Sequence, residues 1–270
     1  MGYFDALIDN PELEKAFGKH IHWGYWENPK EAKGTLTDFA IAANNLSHLV
    51  IKTAQIEDNW QILDAGFGGT ISLLNESFHN LKLYGINIDN TQVERAKKLI
   101  KPINNNYIEF INTNACELPN FSDLFDCSIV LECIFAFPSR EIFFQQVTKN
   151  LKSSGQLIIV DFIINPQIRK FWTWFEKQVL SRLITDTYGS KATNKVEFIG
   201  IKDYENIAQK TGFKLTKIID LNKNVQPTYP VINKLIVDNF NDWLTAKGLE
   251  IFSQFNLINY QILIFNSCNS

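Results

Sequence analysis

Residues 62 to 70 read Ile-Leu-Asp-Ala-Gly-Phe-Gly-Gly-Thr: an apolar run that ends in an acid, then three glycines in four positions. Glycine lets a backbone turn tightly and lets a ligand approach the main chain with no Cβ in the way. A buried strand that stops at such a turn and runs into a helix is the form of a cofactor loop. The dinucleotide fingerprint G-x-G-x-x-G would need a third glycine where this chain has Ile71, which is too bulky for close helix packing or pyrophosphate contact. The bare alternative is a tight strand-to-helix turn that holds nothing.

Downstream residues argue for a ligand. Leu81 to Asp89 form a second apolar run with a polar end, and Asn87 stands 23 residues after Asp64. That matches the gap of about 20 residues expected between a glycine loop and a ribose-binding side chain. Next come Asn112-Thr113-Asn114-Ala115-Cys116-Glu117-Leu118-Pro119, Phe125-Asp126-Cys127-Ser128-Ile129-Val130-Leu131-Glu132, and Leu151 to Asp161. In order and spacing, and together with the D-x-G-x-G of Asp64, Gly66 and Gly68, these segments resemble the class I S-adenosyl-L-methionine (AdoMet) methyltransferases over residues 60 to 165. His20-Ile21-His22-Trp23-Gly24-Tyr25-Trp26, Gly68 to Glu76, and Phe137 to Glu141 are similar to segments of the small-molecule, natural-product members related to tocopherol, sterol and sugar methyltransferases. In those, an N-terminal helical cap closes over the cofactor.

The resemblance implies roles residue by residue. AdoMet offers a sulfonium, an amino-acid end, a ribose diol and an adenine, and leaves as S-adenosyl-L-homocysteine. Gly66, Phe67 and Gly68 would cradle the methionine part, with Asp64 and Ala65 ordering the loop. Asn87 and Asp89, with Ile88 and Gln92 beside them, would serve the ribose, and Asn114, Ala115 and Cys116 the adenine side. Glu132 would face the methionine end or the acceptor, and Tyr25 and Trp26 would close over the cofactor. Asn87 and Asn114 stand where the family usually has acids, and Thr70 replaces the third glycine of the motif. Gly66→Val is expected to abolish AdoMet binding while leaving the fold largely intact.

Many relatives carry a base, a histidine, in the segment after the fourth strand, where this chain has Ala136. His20 and His22 are the remaining imidazoles near the expected site, whereas His48 and His79 fall on helices with surface or packing roles. The catalytic candidates are therefore His20, His22 and Glu132. A carboxylate acceptor, with a pKa of about 4, is already an anion at neutral pH and needs no base. Carboxylate O-methylation of a small-molecule or peptide-like acceptor is thus favoured over N-, C- or phenol O-methylation. Two readings of other classes stand beside it: an AdoMet-binding domain without catalysis, and an NAD-dependent reductase, disfavoured by Ile71 and by the lack of a Tyr-x-x-x-Lys pair.

The elements that must position these residues form an α/β pattern. Strands are expected near 61–65, 81–88, 107–112, 125–131, 156–163, 213–220 and 258–266, alternating with helices near 70–79, 91–101, 139–151 and 203–211. Gln156 to Ile164 is almost continuously apolar, as in a parallel strand covered on both faces. The expected fold is a doubly wound, Rossmann-like, seven-stranded and mostly parallel sheet, with an antiparallel last strand implied by the resemblance. One domain is expected over residues 1–270, with a helical cap (1–55), an AdoMet-binding core (56–164) and substrate-side insertions at 165–201 and 222–256. The first insertion carries Phe171-Trp172-Thr173-Trp174-Phe175, Val179, Leu180, Leu183 and Ile184 at helical spacing; the second, with Pro227, Tyr229, Phe240 and Trp243, reads as a lid. At 45% hydrophobic content the chain can bury a full core.

A net charge of −3 and a pI near 5.9 argue against a nucleic-acid partner. No apolar run approaches the roughly 20 residues of a membrane span, no secretory leader is legible, and a cytoplasmic protein is expected. The four cysteines, Cys116, Cys127, Cys133 and Cys268, have neither C-x-x-C spacing nor a histidine partner, so reduced thiols and no metal are expected. The oligomeric state is left open.

Overall fold

The computed structural model describes residues 20, 22–66, 69–175, 197–235 and 240–268. Seven strands, β1 (Gln61–Ala65), β2 (Lys82–Asn87), β3 (Tyr107–Asn112), β4 (Phe125–Leu131), β5 (Leu151–Ile164), β6 (Phe213–Asp220) and β7 (Ile258–Ser267), make one sheet in the order β3-β2-β1-β4-β5-β7-β6. The helices are α1 (Leu36–Ala54), α2 (Thr70–Ser77), α3 (Asn90–Leu99), α4 (Arg140–Asn150), α5 (Arg169–Phe175), α6 (Ile201–Thr211), α7 (Asn222–Val225), α8 (Thr228–Leu235) and α9 (Phe240–Gln254).

β1 is buried at every position and pairs in parallel with β2 on one side and β4 on the other, setting Asp64 opposite Gly85 and Ile129. The strand order reverses direction there, and in open α/β sheets such a switch point opens a crevice at the carboxyl ends of the strands. Asp64, Asn87, Asn114 and Glu132 lie at or just beyond the carboxyl ends of β1, β2, β3 and β4. β7 runs against its neighbours. Cys268 N donates to Gly212 O, and Thr216 Oγ1 donates to Ile264 O, so numbers rise along β6 as they fall along β7. Asn165 N donates to Leu257 O, bringing the end of β5 beside the start of β7.

β5 starts at Leu151, five residues before the apolar run begins. Leu151 pairs with Phe125, the register then slips, and Cys127 faces Gln156. Lys152, Ser153 and Ser154 are exposed, and the Lys152 ammonium reaches Asp126 Oδ1 at 2.7 Å. These side chains are solvated, so no apolar periodicity marks them as strand.

The chain is organised as two compact units. The first comprises Ser47–Asp161, Lys202–Ile219 and Ile262–Ser270. Its core includes Phe144, whose ring meets Phe213 at 5.6 Å and Phe265 at 5.2 Å, both edge-on. The second comprises Met1–Leu46, Phe162–Ile201 and Asp220–Gln261, and so includes the described parts of the two insertions and of the cap as far as Leu46, while residues 47–55 of the cap segment belong to the first unit. Within it, Trp23 lies edge-on to Phe162 at 4.9 Å and to Tyr229 at 4.4 Å. Trp172 is fully buried against Phe198 and Phe252, whereas Phe171 and Trp174 are exposed, so the aromatic stripe of α5 is core on one side only. Val179, Leu180, Leu183 and Ile184 lie outside the described residues. The segment read as a lid contains α7, α8 and α9, with Tyr229 and Val231 buried. Among the described residues no helix is long and apolar enough to cross a membrane, and no group of three or more His, Cys, Asp or Glu side chains could hold a metal ion.

Candidate active site

The glycine loop is held from two sides. Gly66 has φ +81, and its N–H donates to Ile86 O at 2.8 Å. A Cβ at Gly66 would overlap Cys133 Sγ and come within 2.9 Å of Cys133 Cβ, while the Cys133 thiol donates to Ala65 O at 3.0 Å. Glycine is therefore required by conformation and by a neighbour in the chain itself. This corrects the expectation for Gly66→Val: the clash is with the turn after β4, so valine disturbs the fold together with any ligand. Phe67 and Gly68 lie outside the described residues.

Asp64 is 1% exposed, its Oδ2 has no hydrogen-bond partner among the described residues, and burial pushes its carboxyl up to about 8. Thr70, first residue of α2, is fully buried with Oγ1 equally unpartnered. Buried polar atoms are almost always paired, so two orphans at the two ends of one loop call for explanation. One is an acceptor suited to a cation and the other a hydroxyl donor suited to an anion. Together they are complementary to the ammonium and carboxylate of an amino acid.

At the end of β2, Asn87 Oδ1 accepts from Asp89 N at 2.9 Å, and Asp89 Oδ1 accepts from Thr91 N at 2.8 Å, capping α3. Between them Ile88 is 64% exposed, an apolar side chain offered at a polar strand end. Gln92 is buried, with Nε2 unpartnered. Asn112, not singled out from the sequence, donates to the carbonyls of both Asn87 and Ile88 at 3.0 Å and ties the ends of β2 and β3 together. Its signal was an asparagine directly opposite Asn87 in register. Asn114 Oδ1 accepts from Cys116 N at 3.0 Å, and Ala115 and Cys116 are buried; burial pushes the Cys116 thiol up. Glu132 is half-buried at φ +53, a left-handed conformation that non-glycine residues seldom adopt, and its N–H donates to Val160 O at 3.0 Å.

A buried cluster that sequence reasoning missed lies one strand further on. Asp161 Oδ2 accepts from the Tyr204 hydroxyl at 2.5 Å and lies 3.7 Å from the Arg140 guanidinium, with all three side chains buried. An acid inside the apolar run of β5 was its only mark in the sequence.

The second unit holds the remaining candidates. His22 is buried, and its Nδ1 lies 2.9 Å from Trp23 O, so Nδ1 carries the proton. Burial, then the adjacent His20 ring at 5.0 Å, pushes its pKa down to about 3, leaving it neutral near pH 7. His20 Nε2 donates to Asn44 Oδ1 at 3.1 Å. Trp26 is buried, with its indole N–H donating to Asp38 Oδ2 at 3.0 Å and its ring 6.2 Å from Phe39. Tyr25 is half-buried, and its hydroxyl is pushed up by burial and by Glu27.

Comparison with known proteins gives this arrangement a context. Residues 63–159 match the family model described as a methyltransferase domain. An O-methyltransferase of Pyrenophora dematioidea is 23% identical over 236 residues, covering 85% of this chain and 82% of that protein. Methyltransferase GfsG of Streptomyces halstedii is 21% identical over 232 residues, covering 85% and 78%. Among solved structures, a geranyl diphosphate C-methyltransferase from Streptomyces coelicolor A3(2), in complex with Mg2+, geranyl diphosphate and S-adenosyl-L-homocysteine, superposes with TM-score 0.71 at 13% identity, covering 96% of this chain and 99% of that one. At that identity the likeness shows the shared fold.

Proposed function

We propose, for a chain that belongs to the class I AdoMet-dependent methyltransferases, that the acceptor is a small natural product whose nucleophilic oxygen arrives already ionised, a carboxylate above all. AdoMet supplies an activated methyl group, so the chain's own task is alignment and exclusion of water. In this reading Asp64, Ala65, Gly66, Thr70, Asn87 to Asp89, Gln92 and Asn114 to Cys116 form the cofactor side, and Glu132 stands at the acceptor side.

The observation that carries the acceptor class is the state of the available bases. The turn after β4 has Ala136 where the resemblance implies an imidazole in many relatives. His22 is held neutral, with a pKa near 3, and a base that weak is poorly matched to a phenol or an ammonium of pKa about 10. His20 donates its Nε2 proton to Asn44. An acceptor that needs no deprotonation fits these groups best. The fungal relatives named O-methyltransferases support oxygen as the acceptor atom.

The test pairs carboxylic acids with matched phenols and amines, using labelled AdoMet at concentrations that saturate the enzyme at each pH and single-turnover rates from pH 5.5 to 9. A carboxylate acceptor predicts a flat rate above about pH 6, since carboxylates titrate near 4. A neutral His22 base would also leave the profile flat, so variants must decide. His20→Ala, and His22→Gln with its amide kept as a donor to Trp23 O, should each lose far less than the roughly 100-fold minimum that removal of a general base brings. A loss of that size in either folded variant, or turnover confined to phenols or amines, overturns the carboxylate reading.

A further inference from the structure

The carboxyl end of β1 holds an acid that the fold leaves incomplete. Asp64 is 1% exposed, Oδ2 has no donor among the described residues, and its register neighbours are Gly85 on β2 and Ile129 on β4, which bring no polar side chain. Among the described residues the titratable groups that face it are thiols, Cys127 on β4 and Cys133 in the turn that follows, and the proximity of Asp64 pushes both further up. Neither is a cation. Isolated charge in a buried place is expensive enough that such a group gives up its ionisation. Gly66, two residues on, makes the turn at φ +81 with Cys133 filling the space a side chain would need, so no side chain at that position reaches back to Asp64.

We propose that Asp64 is a neutral carboxylic acid in the ligand-free enzyme and gives up its proton to solvent when the cationic methionine end of AdoMet binds. The proposal rests on the AdoMet reading of the glycine loop and goes beyond it by assigning a protonation change to the binding step. The O–H bond of Asp64 breaks, its electron pair stays on the carboxylate, the proton passes to the buffer, and the new negative charge is compensated by the ligand's positive charges. The upward displacement of this carboxyl to about 8 has burial as its cause, which a bound cation would reverse. Release of the cofactor or its product then returns one proton to the site.

Proton linkage makes the sign definite. Below pH 8 the free enzyme must lose a proton to bind, so affinity rises with pH, by about tenfold per unit for one proton. The slope is best read between pH 5.5 and 7, below the range of about 7.7–8.0 in which an α-amino group itself titrates.

The experiment is calorimetric titration of the full chain with AdoMet in two buffers of low and high ionisation enthalpy, repeated across that pH range. Wild type should release close to one proton, and its Kd should fall about tenfold per pH unit. Asp64→Asn, which keeps the shape without the titration, should bind with no buffer dependence and a flat pH profile. Infrared difference spectra provide a second readout in wild type alone: the C=O band of a neutral acid should vanish on adding AdoMet. Binding heat without proton release, or proton release that persists in Asp64→Asn, overturns the proposal. No binding heat at any pH overturns the AdoMet reading itself, a distinguishable result.

Discussion

Two acids lie buried near the ends of β1 and β5, and the fold treats them oppositely. Asp161 receives the Tyr204 hydroxyl at 2.5 Å and sits 3.7 Å from the Arg140 guanidinium, which also lies 5.9 Å from the centre of the Tyr204 ring. Burial and Asp161 hold the Tyr204 hydroxyl well above its usual range, so it stays a donor. Asp64 has an oxygen with no donor among the described residues. A structural acid is supplied with partners by its own chain; an acid left without them marks a place where the chain is completed from outside. The first arrangement secures Arg140, the opening residue of α4, and the second is stable only as a neutral acid or beside a cation.

The largest effect should come from breaking the paired acid. Asp161→Ala strands Arg140 in the interior, and removing one partner of a buried ion pair costs about 3–5 kcal/mol. Urea denaturation at pH 7 should show that loss, while Asp64→Asn should change stability in the opposite direction. The sign follows from linkage. The folded carboxyl of Asp64 titrates near 8 against a reference of 3.8, so its contribution is fully present below pH 4 and is lost as pH rises through 8. Asp64→Asn should match wild type near pH 4 and gain on it by up to about 1.4 kcal/mol per pH unit above that. His22 has the reverse slope. Its pKa of about 3 against 6.5 means that its contribution is present above pH 6.5 and is lost as pH falls toward 3. Equal losses in Asp161→Ala and Asp64→Asn at pH 7 would erase the contrast between the two acids.

How much of this was legible in the sequence depended on range. β1 to β4 and their polar ends could be read because each apolar run stops at a glycine, an amide or an acid within a few residues. β5 could be read only from its apolar half, since Lys152 to Ser154 are strand residues that face solvent. The asparagine-aspartate step at Asn87 and Asp89 was visible as composition, but its local turn, with Oδ1 taken by Asp89 N, was not. Contacts between distant residues left almost no trace. The reason Gly66 must be glycine lies in Cys133, and the partners of Asp161 lie in Arg140 and Tyr204. The neutrality of His22 comes from burial, which its own sequence neighbourhood does not disclose.

The smallest expected effect tests whether Asp64 alone governs the linkage. The family resemblance implies an acid at the position of Asn87, yet Asn87 Oδ1 already accepts from Asp89 N at 2.9 Å. Asn87→Asp should keep that bond through one carboxylate oxygen and leave the second as a charged acceptor for a ribose hydroxyl. The new charge sits just before α3, where the helix N-terminus favours an anion by about 0.3–1 kcal/mol, but it also approaches Asp89, which already caps that helix. These influences oppose each other, and stability should stay within about 0.5 kcal/mol, as for most substitutions away from the core. AdoMet affinity should hold or tighten. A loss beyond tenfold, about 1.4 kcal/mol, would show that the Asn87 amide donates to the ligand. The slope of affinity against pH discriminates further. Because an ordinary carboxylate titrates near 4 and the neighbouring helix N-terminus favours its ionised form, Asn87→Asp should leave the wild-type slope untouched while Asp64→Asn removes it, and a flattened slope in Asn87→Asp would move the proton from β1 to β2.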